Sequence, residues 1–365
     1  MKQIHLVCFL SVFLAVLIFS TSLKAHPIED KNIMDFNIDF SGVEKFLELT
    51  ALLEKDQEPT QEQWDDMFDT PGYKILILRE FNKNFLIERI KLAFMPSNEE
   101  ALKVKLKEEK GFWAKFLPHF VRAKNQRKLI EEQVARFKSV DFIRAAVDEA
   151  REFLPDVSLD ENLPLSFVIF GPDSRGYAPV VVDVLYAYDQ GDLFISFMAH
   201  EFHHYYRNQY FPFAQDQPFI WMIDQIQGEG IADQINIGKW FHDKNLYPKF
   251  AKRKKGYLEW YAKSPEIIRK MGHLFESAYD HPEKKMEYGQ QLRAIVPLSG
   301  HPTGFYMANL IIEQLGKEPL VKDIGNPFAF FRLYKQAADK KGGKTPTFSD
   351  KAIGFIRSLE KRYIR

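Results

Sequence analysis

The stretch Phe194-Ile-Ser-Phe-Met-Ala-His200-Glu201-Phe-His203-His204-Tyr-Tyr206 constrains this chain more than any other. Phe194, Phe197 and Met198 recur at helical spacing, which predicts a helix with one buried face. At about 100° per residue, His200 and His204 lie one turn apart on the same face. Two imidazoles so placed can both reach one Zn²⁺. Glu201, a fraction of a turn away, can touch water held there without ligating the ion. The spacing His-Glu-x-x-His therefore suits hydrolysis at a carbonyl. The ion acidifies water and polarises the carbonyl, while the carboxylate takes the proton and later delivers it to the leaving amine. A surface helix with solvated histidines carries the same letters, so further donors have to be sought downstream.

A catalytic zinc site needs three protein ligands and one open position. The next segment, Trp221 to Ile237, keeps a roughly helical apolar period in Met222, Ile226, Ile231, Ile235 and Ile237 despite Gly228 and Gly230. Glu229 stands on it, far enough beyond His204 for a loop and a returning helix. Asp233 lies one turn on, on the same face, where it can accept the outer N–H of a ligating imidazole and fix its tautomer. Two acids on an otherwise apolar helix need partners if buried, and a metal with its histidine supplies one. His203 stands at i+3 from His200, so a His200/His203 pairing is a second arrangement. Only the i+4 pair leaves Glu201 aimed at the ion, which makes His203 a half-exposed neighbour of the ligands.

His200-Glu201-x-x-His204 followed by Glu229-x-x-x-Asp233 resembles the gluzincin branch of zinc metallopeptidases, of which thermolysin is the familiar member. The resemblance implies one Zn²⁺ per chain on His200, His204 and Glu229, with Glu201 as general base acting on zinc-bound water. It also implies that Asp233 braces His200. The chain is most similar to a bacterial family of unknown function described as zinc-dependent peptidases. Shared with that family are His-Glu-Phe-His-His, Glu-Gly-Ile-Ala-Asp and a later Gly300-His301-x-x-Gly304. Thermolysin-like enzymes place Asn just before the third ligand, where this chain has Gly228. The likeness is close over 194–237, looser over 166–189 and 299–331, and slight in the N-terminal third. Zincins add a donor beside the metal to hold the oxyanion. His301, in a loop just before a helix, is the preferred candidate and Tyr306 the second.

Residues 1–25 run from Lys2 through an apolar stretch, Leu6 to Phe19, to a small residue at Ala25. This is the pattern of an export signal, placing the mature chain in the periplasm or outside the cell. An uncleaved anchor is the alternative, although the run is short of the about 20 residues a spanning helix needs. The one cysteine, Cys8, falls inside it, so disulfides, thiolate ligands and a cysteine nucleophile are excluded from the mature chain. A formal net charge of zero gives no electrostatic case for nucleic acid, or for a membrane after cleavage. The expected partner is a peptide or protein substrate.

The expected fold is α+β and predominantly helical. An N-terminal helical region (26–160) precedes a zincin-like metallopeptidase region (161–365) with a small sheet and the His-Glu-x-x-His helix. Ser41-x-x-Glu44, Thr60-x-x-Gln63 and Ser97-x-x-Glu100 have the form of capping boxes. Leu165–Phe170 and Val180–Tyr188 read as strands on either side of a Gly/Pro loop. The second is the candidate edge for an extended substrate, with an ordinary buried strand as the alternative. Ser264-Pro265 reads as a helix start, and Gly316 as a stop after the helix that begins beyond His301. The other histidines of the mature chain, at 26, 119, 242, 273 and 281, have no partners at ligand spacing. Two further functions fit the same letters: a non-catalytic binding or scaffold protein on a zincin fold, and a zinc hydrolase of non-peptide amides or esters.

Overall fold

The two apolar runs form the middle of a four-stranded sheet. Its strands are β1 (Asn37–Asp39), β2 (Pro164–Val168), β3 (Ser174–Arg175) and β4 (Val180–Asp183), in the order β1-β2-β4-β3. β1 and β4 run parallel to β2, and β3 runs antiparallel to β4. Covering of both faces explains why β2 and β4 are continuously apolar rather than alternating. The computed structural model describes residues 37–138, 141–155, 163–210 and 218–364, which belong to one compact unit. The expected leader, residues 1–25 with Cys8, lies outside the described residues. Among those described, no helix is long and apolar enough to cross a membrane.

Helices make up the rest. Among the described residues, eight helices of at least eight residues lie between β1 and β2, from Ser41–Leu53 to Asp141–Arg151, all N-terminal to the 194–210 segment. They share a core with the later elements: the Phe137 ring stacks on Phe167 of β2 at 5.0 Å and on Phe194 at 4.9 Å. Phe194–Tyr210 is one helix, Pro218–Phe241 a second, Lys255–Asp280 a third and His301–Leu315 a fourth. The second and fourth touch along their backbones. A methyl group on Gly230 would lie 2.3 Å from the Gly304 carbonyl carbon, and one on Gly304 2.1 Å from the Ile226 carbonyl oxygen. Only hydrogen fits at that crossing.

Local signals and structure part company in four places. The run 180–188 is a strand only as far as Asp183. The Asp183 carboxylate accepts from Leu185 and Tyr186 N–H, capping a helix, Val184–Gln190. The same buried side chain accepts from the Phe170 and Gly171 amides and meets His119 Nε2 at 2.9 Å, so His119 is a satisfied core histidine. β4 also lies inside the sheet, whose edge strands are β1 and β3. Third, the helix expected to start at Ser264 runs unbroken from Lys255 with Pro265 inside it. Tyr257, Leu258 and Tyr261 pack on Trp240, Phe250 and Phe305, and that apolar contact outweighs the local stop. Last, the box at Thr60 forms, whereas Ser41 and Ser97 turn instead to Asp39 and Asp56.

Gly304→Ala has to push two backbones apart, and overpacking of this kind costs about 1–3 kcal/mol. Urea unfolding should show that loss. An unchanged midpoint would contradict the contact.

Candidate metal centre

Three helices bring the side chains together. His200 and His204 project from one face of the 194–210 helix, Glu229 and Asp233 from the 218–241 helix, and His301 opens the 301–315 helix. The Nε2 atoms of His200 and His204 lie 3.1 Å apart and face Glu229 Oε2 at 3.3 and 3.0 Å. His301 Nε2 approaches the same oxygen at 3.2 Å. Asp233 sits behind, 3.4 Å from His200 Nδ1 and 3.1 Å from His301 Nδ1. The carboxylate hydrogen-bonds His301 Nδ1, while His200 Nδ1 lies beside it without a hydrogen bond of normal geometry, and both Nε2 atoms face the Glu229 carboxylate.

The donor set fits a zinc ion. Bonds of about 2.0–2.2 Å to nitrogen and oxygen put tetrahedral donors about 3.3–3.6 Å apart, a few tenths of an ångström beyond the 3.0–3.3 Å separations among His200, His204 and Glu229. Those three form one of two groups of potential ligands among the described residues. The other, His200, Asp233 and His301, shares His200 and is the bracing arrangement of the Asp233 carboxylate. His203 joins neither. It is fully buried, with no hydrogen bond of normal geometry at either ring nitrogen. Burial, with the positive neighbours His204, Arg207 and His200, pushes its pKa well below the ordinary range.

Charge balances the cluster. Burial alone would raise the Glu229 pKa, but His204, His301 and His200 outweigh it and hold the carboxyl well below its usual range. Burial would likewise lower His200; the hydrogen bond to Glu229 and the charges of Asp233 and Glu201 raise it instead. For His301, at 32% the most exposed side chain of the five, Glu229 and Asp233 overcome burial and raise the pKa to about 10.

Two supporting residues had no sequence signal. Tyr257 donates to Asp233 Oδ2 at 2.8 Å and lies 3.4 Å from the His301 carbonyl. Burial and Asp233 hold its pKa well above that of a free phenol, so it stays a donor. Ser174 donates to Glu201 Oε1 at 2.6 Å. Neither stands at a fixed spacing from the motif; only the loop reading of 171–176 touched the second. Tyr306 is elsewhere. Five residues beyond His301 it is about 140° round the helix, packed on Tyr261 at 5.5 Å with Lys341, Arg269 and Glu313 as charged neighbours. Deeper in the molecule, buried Arg207 ties the first two helices together through Asp224 at 2.5 Å and Gln227 at 2.6 Å. It lies under Gly228, the position where thermolysin-like enzymes carry Asn.

A family model described as "Putative zinc dependent peptidase (DUF5700)" matches residues 64–343. No curated protein and no solved structure matches the chain.

Zinc titrated into metal-free protein should bind one equivalent, with protons released. Because His200 holds its proton to higher pH than a free imidazole, affinity should still be climbing as pH rises through neutrality. Asp233→Asn should weaken binding about 10–100-fold. Undiminished affinity in that variant would separate Asp233 from the site.

Proposed function

The chain belongs to this family, and from that premise we propose that it is an exported zinc metallopeptidase of gluzincin type. Its zincin-like core would be the sheet with the 194–210 and 218–241 helices. One observation carries the reading: His200, His204 and Glu229 present three donors to one point, with Glu201 directly after His200 on the same helix. The leader-like residues 1–25 support export.

Zinc, when bound, acidifies water and polarises the scissile carbonyl. The chain's own groups do the rest. Glu201 accepts the proton of the attacking water and passes it to the leaving nitrogen. Asp233 keeps His200 in the tautomer that offers Nε2 and holds His301 by Nδ1. His301 Nε2 is then the donor that meets charge growing on the carbonyl oxygen. Tyr257 locks Asp233 from behind, and Tyr306 has no part. β3 supports the peptide reading: among the described residues no strand covers its outer edge, and an extended peptide can add there by main-chain hydrogen bonds. Gly176, the next residue, lies so close to the motif helix that a methyl group would come within 2.5 Å of His204 Cβ. That brings the edge up against the ligands.

The mature protein, incubated with a mixed peptide library, should cleave when zinc-loaded. Glu201→Gln should keep its zinc and lose about 10²–10⁴ in rate, while His204→Ala should lose both metal and rate. Full occupancy with no cleavage of any peptide by the wild-type protein would point to a binding protein on the same scaffold.

A further inference from the structure

We infer that Ser174 is a positioning residue for the Glu201 carboxylate, an assignment that rests on Glu201 being the base. The last torsion of a glutamate is broad, so the backbone of the 194–210 helix does not set the plane of this carboxylate. A partner must. The Ser174 hydroxyl has one hydrogen to give and gives it to Glu201 Oε1 at 2.6 Å, both side chains being 7% exposed.

β3 itself is gripped from both sides. Successive side chains of a strand point to opposite faces, and Arg175 turns from Glu201 to Glu80, which it meets through Nε and Nη2 at 2.6 Å each. Asp173 adds contacts to Arg175 at 3.1 Å and to Lys115 at 3.0 Å. On the other side, the Gly176 backbone is pressed against His204 and the Glu201 carbonyl. A hydroxyl mounted on a strand so confined has little freedom, and neither has the carboxylate it holds. A buried serine that merely found an acceptor would matter to stability alone. A positioning serine matters to turnover.

Kinetics on one peptide chosen from those the wild-type protein cleaves, with zinc content measured alongside, separate the two. Ser174→Ala should keep zinc and KM within about twofold while kcat falls about 10–100-fold, the penalty of a misplaced reacting group. Ser174→Thr, which keeps the hydroxyl, should recover most of that loss. In a Glu201→Gln background, Ser174→Ala should cost nothing more, because both changes remove one unit. An unchanged kcat in zinc-loaded Ser174→Ala, a Thr variant as slow as the Ala one, or fully additive losses would each overturn the assignment. Cleavage persisting in Glu201→Gln alone would instead remove the base, and the reading of the site with it.

Discussion

The candidate site exists because two helices meet with nothing between their backbones. Gly230 and Gly304 allow the 218–241 and 301–315 helices to touch. Gly230 directly follows Glu229, and Gly304 stands one turn after His301. The approach of the main chains therefore sets the separation of those two side chains. With ordinary side chains at the crossing, helix axes stand about 8–10 Å apart. His301 could not then reach Glu229 at 3.2 Å and Asp233 at 3.1 Å together. The 194–210 helix completes the arrangement, tied to its neighbour by buried Arg207.

What that geometry gathers is charge in a poorly solvated place. Glu201, Glu229 and Asp233 face His200, His204 and His301, and the pKa shifts of His200, His301 and Glu229 run toward the charged forms against burial. An isolated buried carboxylate would go the other way. The cluster is stable only as a set, and a divalent ion at its centre would replace protons the imidazoles otherwise hold. Asp233 is where the set is joined: the same carboxylate stands beside His200, His301 and the Tyr257 hydroxyl. Moving one of the three disturbs the other two.

Much of this was legible in the letters, for a physical reason. His200, Glu201, His204, Glu229 and Asp233 lie on two helices, and a helix converts spacing into direction, so i and i+4 suffice to place them. His301 was reachable through its glycine-flanked loop. Tyr306 and Tyr257 show where this reasoning stops. Both are aromatic residues near a helix start, and only the path of the 255–280 helix, which runs through Pro265 because Tyr257, Leu258 and Tyr261 are wanted in an apolar cluster, tells them apart. Val184 to Tyr188 have strand-like composition, yet one capping aspartate turns them into a helix. Ser174 was invisible because its partner comes from across the sheet edge, and no local pattern records that.

The parallel pairing of β1 with β2 joins Asn37 to Pro164 and Asp39 to Ser166. Every helix between them must be looped out before that ladder can close, and closure of so long a loop is entropically slow. The N-terminal helices can therefore form early from local contacts while the β1–β2 ladder waits. β3 stands apart from that delay, because it pairs with β4 across a short local turn. The first described strand of the chain is thus the last to find its place, and the opposite margin of the sheet, beside His204, does not have to wait for it.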